Sequence, residues 1–152
     1  MKVTAIVLAA LVACVSASFQ TLDFTGSIAG ANEIISATLG TGDLLRIALP
    51  ENPTTGYVWR YANPFESKEN VFSVEMDDYT ASPNPNVYAG TGGVRSILLK
   101  AEVSGQQDFE IILVRSWEVQ DFVENHNASG DLISISDIPN AGYKKVAINV
   151  NQ

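Results

Sequence analysis

Short runs of apolar and β-branched residues recur along the chain between clusters of Gly, Pro, Asn and Asp. Such runs are typical of β-strands, and no long apolar stripe with the 3.6-residue helical period accompanies them. The pattern predicts seven strands, at Ile34–Thr38, Leu44–Leu49, Tyr57–Tyr61, Phe72–Tyr79, Val94–Val103, Gln107–Arg115 and Lys144–Val150, with a further leading strand near Leu22–Thr25. Seven or eight strands indicate an all-β sandwich.

Turn-forming residues stand between several of these strands. Gly40-Thr41-Gly42-Asp43 precedes one strand, and Ser104-Gly105-Gln106 separates two others. The turn at Ser104-Gly105-Gln106 predicts a β-hairpin, so we expect adjacent antiparallel strands there. Within Leu44–Leu49 the apolar residues at positions 45, 47 and 49 are expected to face the core, because alternate residues of a strand point to the same side.

The first 17 residues differ from the rest of the chain. Lys2 is followed by the apolar segment Ala5–Ala13 and by the small residues of Val15-Ser16-Ala17, which is the pattern of a cleavable signal peptide. We therefore predict a leader at residues 1–17 and a single domain at residues 18–152. The protein is then expected in the secretory pathway, either secreted or in lysosome-like vesicles. The apolar segment is shorter than the roughly 20 residues that span a bilayer.

Charge and cysteine content exclude several classes of partner and site. Without Lys2 the predicted domain has eight basic and 17 acidic side chains, which disfavours nucleic acid and anionic membrane surfaces as partners. The single cysteine, Cys14, lies in the predicted leader, so we expect neither a disulfide nor a thiolate nucleophile in the domain. With one histidine and without the spacing of a calcium loop, the sequence predicts no metal and no cofactor.

The segment Val119–Gly142 has no clear strand pattern. Acidic residues, Asn, Ser and Gly surround a short apolar patch, which predicts a long loop that could contain a hairpin or a helical turn. The segment holds the one histidine, His126, beside a candidate glycosylation site at Asn127 in Asn-Ala-Ser. Because no nucleophile motif such as Gly-x-Ser-x-Gly accompanies His126, a catalytic triad is disfavoured and no enzymatic activity is expected.

Three short segments next to predicted strands are candidates for binding. The first loop, Asn52-Pro53-Thr54-Thr55-Gly56-Tyr57, combines a proline of fixed φ with a permissive glycine, which favours a preset backbone. The second loop, Gly90-Thr91-Gly92-Gly93, has little side-chain bulk, so another backbone could approach it or the chain could simply bend there. The third loop, Arg115-Ser116-Trp117, contains two residue types enriched at binding hot spots, although a tryptophan at a strand end is about as often a core residue. Each segment alone also fits an ordinary turn or loop.

In this order, the three loops resemble the loop signatures of the chagasin family of cysteine protease inhibitors. The similarity extends over about residues 30 to 118, with a final strand near Lys144–Val150. The resemblance implies an immunoglobulin-like β-sandwich with the three loops at one end. It also implies a reversible, tight-binding inhibitor of papain-like, cathepsin L-like cysteine proteases, which acts as a monomer and forms a one-to-one complex.

The resemblance implies a specific role for the first loop. Thr54 and Thr55 would lie over the catalytic cysteine and histidine of the protease. Pro53 and Gly56 would shape the tip of the loop, and Tyr57 would anchor its base. A loop that occupies the cleft in a non-substrate orientation offers no scissile carbonyl to the thiolate, so the implied mechanism is blockage without turnover.

The other two loops would flank the first. By resemblance, the glycines at 90–93 would lie beside the substrate-binding strand of the protease, Trp117 would stack on an aromatic residue on the leaving-group side, and Arg115 would add polar contacts. Two features depart from the family pattern. Ser116 stands where proline is usual, and the segment after Trp117 is longer. Loss of the proline is expected to free the third loop before binding.

A second function class shares the predicted fold. A secreted immunoglobulin-like adhesion or ligand-binding module would use the same loops at the end of a sandwich to bind a different surface. Competition for a protease active site distinguishes the inhibitor from this alternative.

Overall fold

The computed structural model describes residues 17–27, 31–62, 70–83, 92–115, 117 and 142–152. Within these ranges the strands are β1 (Phe19–Asp23), β2 (Glu33–Gly40), β3 (Leu44–Glu51), β4 (Tyr57–Tyr61), β5 (Phe72–Ala81), β6 (Gly93–Ala101), β7 (Gly105–Arg115) and β8 (Gly142–Asn151). A 3-10 helix at Pro53–Thr55 joins β3 to β4. Each predicted strand overlaps one observed strand, which confirms the all-β class.

The strands form two four-stranded sheets. The first sheet has the order β1-β3-β6-β5, and the second has the order β2-β8-β7-β4. Both sheets are mixed, because β1 is parallel to β3 and β2 is parallel to β8, whereas the other pairs are antiparallel. The predicted sandwich is therefore confirmed, with parallel edge pairs that the strand pattern did not reveal.

The predicted hairpin at Ser104-Gly105-Gln106 is wrong, because the strands on either side of this turn belong to different sheets. The turn at Gly40–Asp43 leads from β2 in the second sheet to β3 in the first, and Ser104-Gly105-Gln106 leads from β6 in the first sheet into β7 in the second. Both turns carry the chain across the sandwich. Gly42 has a φ of 91°, a conformation that serves a crossover turn as well as a hairpin, so the turn residues alone do not distinguish the two.

Most observed strands extend beyond their predicted bounds, whereas the leading strand and the sixth strand end earlier than predicted. The leading strand spans Phe19–Asp23, and Thr25 lies in the turn that follows, where its N–H and hydroxyl donate to the Asp23 carboxylate at 2.8 and 2.6 Å. The sixth strand ends at Ala101 because the next two N–H groups donate to the Val71 carbonyl at 2.9 and 3.3 Å instead of continuing the sheet.

The core lies between the inner faces of the two sheets. As the alternation predicts, Leu45, Ile47 and Leu49 of β3 have no exposed surface. The Phe109 ring of β7 packs edge to face against Phe72 across the sandwich, with ring centroids 5.9 Å apart. Burial of this continuous apolar cluster is the main favourable contribution to folding.

Two charged side chains are buried among the described residues, Glu51 and Lys144. Lys144 of β8 is fully buried, and its ammonium donates to the Glu33 carboxylate at 2.6 Å and to the Ala31 carbonyl at 2.7 Å. A buried ammonium is tolerated only where it is paired and hydrogen-bonded, and both partners are supplied by β2 and the residues before it. The pair joins β2 to β8 beyond their backbone hydrogen bonds.

Among the described residues no helix is long and apolar enough to cross a membrane.

Candidate functional site

The register of the two sheets brings the three candidate loops to one end of the sandwich. Glu51 at the end of β3 pairs with Gly93 at the start of β6. Tyr57 at the start of β4 pairs with Arg115 at the end of β7. Because the first loop connects β3 to β4, it lies between the other two. We call this end, with described residues 52–57, 92–93, 115 and 117, the loop end. Gly90, Thr91 and Ser116 lie outside the described residues.

Asn52 holds the first loop in a tight turn. Its side-chain Oδ1 accepts hydrogen bonds from the Thr54 hydroxyl at 2.7 Å and the Thr54 N–H at 3.3 Å. Its carbonyl accepts from the Thr55 hydroxyl at 2.7 Å and the Thr55 N–H at 3.1 Å. Pro53 begins the 3-10 helix, and Gly56 ends it with a φ of 84° and an N–H that donates to the Pro53 carbonyl. The backbone of the loop is preset by its own hydrogen bonds, as the sequence predicts.

The tip of the loop is exposed although its conformation is fixed. Pro53, Thr54 and Thr55 are all exposed, whereas Tyr57 is partly buried and packs against the core. The exposed residues therefore protrude from a base that belongs to the sandwich itself. Such an arrangement loses little conformational entropy when it docks.

The third loop packs against the first through aromatic and cationic side chains. The Arg115 guanidinium lies 4.5 Å from the centroid of the Tyr57 ring and 5.9 Å from that of Trp117. The Trp117 indole covers Gly56 so closely that a Cβ on that glycine would lie 2.5 Å from the ring. With 57% of its surface exposed, Trp117 is a surface residue and not part of the core. Its outer face is available for a partner.

The described glycines of the second loop also make close contacts. A Cβ on Gly92 would lie 2.8 Å from the Glu51 carbonyl oxygen and 3.2 Å from Asn52 Cβ, and one on Gly93 would lie 2.2 Å from the Thr80 carbonyl oxygen. The sequence left open whether these glycines allow a close backbone approach or a bend, and Gly92 and Gly93 lie close to another backbone. The approaching backbone in this structure is that of β3 and β5 in the same chain.

A polar network lies directly beneath the loop end. The Arg95 guanidinium donates two hydrogen bonds to the Asp77 carboxylate, at 2.6 and 2.5 Å, and a third to the Trp59 carbonyl at 3.0 Å. It also forms an ion pair with Glu51 at 3.5 Å. The Tyr61 hydroxyl donates to the same Asp77 carboxylate. We call these four side chains, Glu51, Tyr61, Asp77 and Arg95, the sub-loop network.

This network connects the two sheets at the strands that carry the first loop. Arg95 and Asp77 belong to the first sheet, whereas Trp59 and Tyr61 belong to β4 in the second. Trp59 N–H donates to Glu51 at 3.4 Å, so both backbone groups of Trp59 are bound by side chains of the first sheet. The Arg95–Glu51 ion pair therefore binds the backbone of β4 on the edge that faces away from β7. At such an edge another strand could otherwise form backbone hydrogen bonds.

Two opposing effects act on the pKa of Asp77. Burial raises the pKa, but the hydrogen bonds from Arg95 and Tyr61 and the charge of Arg95 outweigh burial, so the pKa lies below its ordinary value. The sequence around Asp77 does not identify its cationic partner. Its partner is 18 residues away on the adjacent strand, and only strand register could have revealed the pair.

The described residues offer a binding surface at the loop end. They contain no group of three or more His, Cys, Asp or Glu side chains that could hold a metal ion. What the loop end presents outward is a rigid hydroxyl-bearing turn beside the exposed face of an indole. This combination suits insertion into a cleft more than chemistry on a substrate.

A comparison with protein families shows which family shares the three loops. The chagasin family of peptidase inhibitors matches residues 38–128, which include all three loops. Amoebiasin-2 of Entamoeba histolytica is 34% identical over 76 residues, which cover 50% of this chain and 58% of that protein. This chain therefore spans less than two thirds of that relative's length. Chagasin of Trypanosoma cruzi is 28% identical over 82 residues, covering 53% of this chain and 72% of chagasin.

Solved structures share the fold of the chain. The cysteine protease inhibitor EhICP2 from Entamoeba histolytica superimposes with a TM-score of 0.55 at 21% identity, covering 87% of this chain and 96% of that one. PbICP-C, solved in complex with falcipain-2, gives a TM-score of 0.51 at 18% identity and covers 87% and 99% of the two chains. These likenesses confirm the immunoglobulin-like sandwich. With a family match over more than half of its length, the chain belongs to the chagasin family of peptidase inhibitors.

Proposed function

We propose that the chain is a reversible, tight-binding inhibitor of papain-like cysteine endopeptidases that closes the active-site cleft with its loop end. The observation that carries this proposal is the exposed first loop, which is held in one conformation by its own hydrogen bonds and by both neighbouring loops. Thr54 and Thr55 are the residues placed over the catalytic cysteine and histidine, and the inhibitor acts as a monomer in a one-to-one complex.

The geometry of the first loop explains why it would not be cleaved. A protease acts on an extended backbone whose scissile carbonyl is free to enter an oxyanion hole. In the first loop the Asn52 and Pro53 carbonyls already accept hydrogen bonds from Thr55 and Gly56 within a 3-10 turn. Presenting either carbonyl to the thiolate would require opening the turn. The loop is therefore held in the cleft as a plug.

The flanking loops add contact area and orientation. The exposed face of Trp117 is an aromatic anchor on one side of the plug. The family resemblance supports contact between the second loop and a protease segment on the other side. Arg115 is stacked between Tyr57 and Trp117, so it supports the aromatic anchor in addition to any contact with the protease. The alternative of an adhesion or ligand-binding module has no support in the comparisons.

We also propose that the protein enters the secretory pathway. The basic, apolar and small-residue regions of residues 1–17 support removal of this segment as a signal peptide. The sequence Asn127-Ala128-Ser129 supports glycosylation on the segment that follows the third loop. Both segments lie outside the described residues, apart from Ala17. Secretion or delivery to lysosome-like vesicles would place the inhibitor with papain-like enzymes.

Titration of papain with the 18–152 protein tests the proposed function. We expect an inhibition constant in the nanomolar range or below, which corresponds to about −12 kcal/mol of binding free energy. Thr54→Glu places a charge at the tip of the plug and is expected to weaken inhibition at least a hundredfold. Ser104→Glu, in an exposed turn at the opposite end of the sandwich, is the matched control and should inhibit like the parent.

Two results would contradict the proposal. Full papain activity in the presence of micromolar protein would exclude tight inhibition. Equal inhibition by the parent and Thr54→Glu would show that the first loop does not enter the cleft, even if the protein inhibits by another surface.

A further inference from the structure

Ser18 follows the predicted leader cleavage site, and it is also the first described residue that hydrogen-bonds to the sandwich. Its N–H donates to Asp43 Oδ1 at 2.7 Å, and its carbonyl accepts from the Leu44 N–H at 2.9 Å. Phe19 then begins β1 in register with Leu44. β1 therefore begins one residue after the predicted cleavage site, at the end of the sandwich opposite the loop end.

Asp43 is held in place independently of Ser18. Its Oδ2 accepts a hydrogen bond from the Gly40 N–H at 2.7 Å, and its own N–H donates to the Gly40 carbonyl at 3.0 Å. Its carbonyl accepts from Ala101 N–H at 2.9 Å. The carboxylate thus has a fixed position at the meeting point of β2, β3 and β6, and one of its oxygens faces the Ser18 nitrogen.

Cleavage of the leader changes the chemistry of that nitrogen. Hydrolysis breaks the Ala17–Ser18 peptide bond, water supplies the hydroxyl that completes the Ala17 carboxyl group, and the Ser18 nitrogen becomes an amine that takes up a proton near neutral pH. A neutral amide with one donor is replaced by an ammonium with three donors and a positive charge. A charge-assisted hydrogen bond to a carboxylate is stronger than the bond from a neutral amide.

We propose that removal of the leader after Ala17 creates an ion pair between the new α-amino group of Ser18 and the carboxylate of Asp43, which fastens β1 to the first sheet in the mature protein. The site is complete before cleavage except for the charge. This inference rests on the proposed signal peptide and not on protease inhibition. Removal of the leader would therefore stabilise β1, which is an edge strand of the first sheet.

Other charges at this end of the sandwich are engaged with each other. Lys100 pairs with Glu102 at 3.2 Å, and Glu102 also accepts from the Ser73 hydroxyl at 2.8 Å. The carboxyl terminus at Gln152 follows Asn151, whose carbonyl accepts from the Thr41 N–H at 3.0 Å. Among the described residues, Asp43 is the acidic group within hydrogen-bond distance of the Ser18 nitrogen. The ordinary pKa of an α-amino group is about 7.7–8.0, and the ion pair raises it in the folded state.

The raised pKa of the Ser18 α-amino group determines how stability changes with pH. A group whose pKa is higher in the folded than in the unfolded state contributes stability that is complete below its unfolded pKa. The contribution disappears as the pH rises through the folded-state value. The protein that begins with a free Ser18 amine is therefore expected to lose its extra stability between about pH 7.5 and pH 9.5. A protein with an acetylated Ser18 should lack this transition.

The test compares four proteins: the 18–152 chain with a free or acetylated Ser18 amine, each with Asp43 or with Asp43→Asn. NMR titration of the Ser18 carbon resonances in the free-amine proteins measures the α-amino pKa. We expect it to exceed the ordinary range by about half a unit or more with Asp43 and to return to that range in Asp43→Asn. Thermal melting should show the free amine raising the melting temperature at pH 7 and not at pH 9.5, and only when Asp43 is present.

Several outcomes would overturn the inference. An α-amino pKa that is the same with Asp43 and with Asp43→Asn would exclude the ion pair. So would a melting-temperature difference that persists in Asp43→Asn. Mass measurement of the protein secreted from eukaryotic cells should give Ser18 as the first residue, and a different first residue would move the amine away from Asp43. Papain inhibition should be equal for the free and the acetylated protein. The ion-pair proposal and the inhibitor proposal can therefore fail independently of each other.

Discussion

At the scale of single residues, the loop end depends on positions where a side chain would not fit. Gly56 combines a left-handed backbone conformation with an indole ring directly over its α-carbon. The sequence predicted that this glycine shapes the tip. It could not show that Trp117, 61 residues further along the chain, sets the steric limit, because that contact exists only after β4 and β7 have paired.

Gly56→Ala is expected to weaken papain inhibition by roughly tenfold to a hundredfold. The added Cβ would lie 2.5 Å from the Trp117 ring and would also strain a backbone with a φ of 84°, so Trp117 must move and the turn must relax. Positive-φ strain alone costs about 1–2 kcal/mol of folding stability. Inhibition constants and urea unfolding of the same samples separate the two effects.

Gly42→Ala provides the matched control for this change. Gly42 has a φ of 91° and nothing within 4 Å of an added Cβ, and it lies at the opposite end of the sandwich. It should lose a similar free energy of unfolding and yet inhibit papain like the parent. If both variants lost inhibition equally, general destabilisation and not displacement of Trp117 would be the cause.

At the scale of elements, the positions of strands follow from local pattern but their partners do not. Tyr57–Tyr61 was predicted with its observed bounds because apolar and aromatic residues are flanked by turn residues on one side and polar residues on the other. The sequence did not predict that β6 and β7 belong to different sheets. A glycine-containing turn has similar residues in a hairpin and in a connection between two sheets. The loop motifs were nevertheless recognisable, since each is contiguous in sequence. The sub-loop network was not recognisable in the sequence, because its four side chains lie on four different strands.

Arg95→Ala is expected to reduce both stability and inhibition. The change leaves the Asp77 and Glu51 carboxylates without their cation and the Trp59 carbonyl without its donor. Arg95 and Glu51 are largely buried, so a loss of about 2–4 kcal/mol in the free energy of unfolding is expected. Because the network holds β4 against the first sheet, the base of the first loop should also shift. We expect the inhibition constant to rise even in variants that remain fully folded.

Lys100→Ala is the control on the same strand. Lys100 pairs with Glu102, but both side chains are more than a third exposed, at 40% and 38%. An ion pair of this kind contributes at most about 1 kcal/mol. Urea unfolding should therefore distinguish the two variants clearly, and papain titration should show normal inhibition by Lys100→Ala. Equal losses in both would mean that position within β6, and not the network, determines the effect.

At the scale of the whole molecule, the charged groups favour a fold that persists in mildly acidic conditions. Three carboxyl groups have pKa values below their ordinary values, those of Asp77, Glu33 and Asp43. For Glu33 the main cause is the hydrogen bond from Lys144. For Asp43 the main cause is the hydrogen bonds from the backbone N–H groups of Ser18 and Gly40. For Asp77, burial acts in the opposite sense but is outweighed by Arg95 and Tyr61. The chain has one histidine, so few groups change charge between pH 7 and pH 5.

The free energy of unfolding is therefore expected to change little from pH 7 to pH 5 and to fall below about pH 4. A carboxylate with a lowered folded-state pKa contributes stability above its unfolded pKa, near 4, and that contribution is lost as the pH falls through the folded-state value. Asp77→Asn should remove part of this dependence, because an amide does not ionise. The stability gap between the parent and Asp77→Asn should thus be widest above pH 5 and should close towards pH 3. Urea unfolding at fixed pH values measures this gap, and papain titrations at pH 5 and pH 7 should give the same parent stoichiometry. A gap that stayed constant down to pH 3 would mean that the Arg95–Asp77 pair does not contribute through its charge.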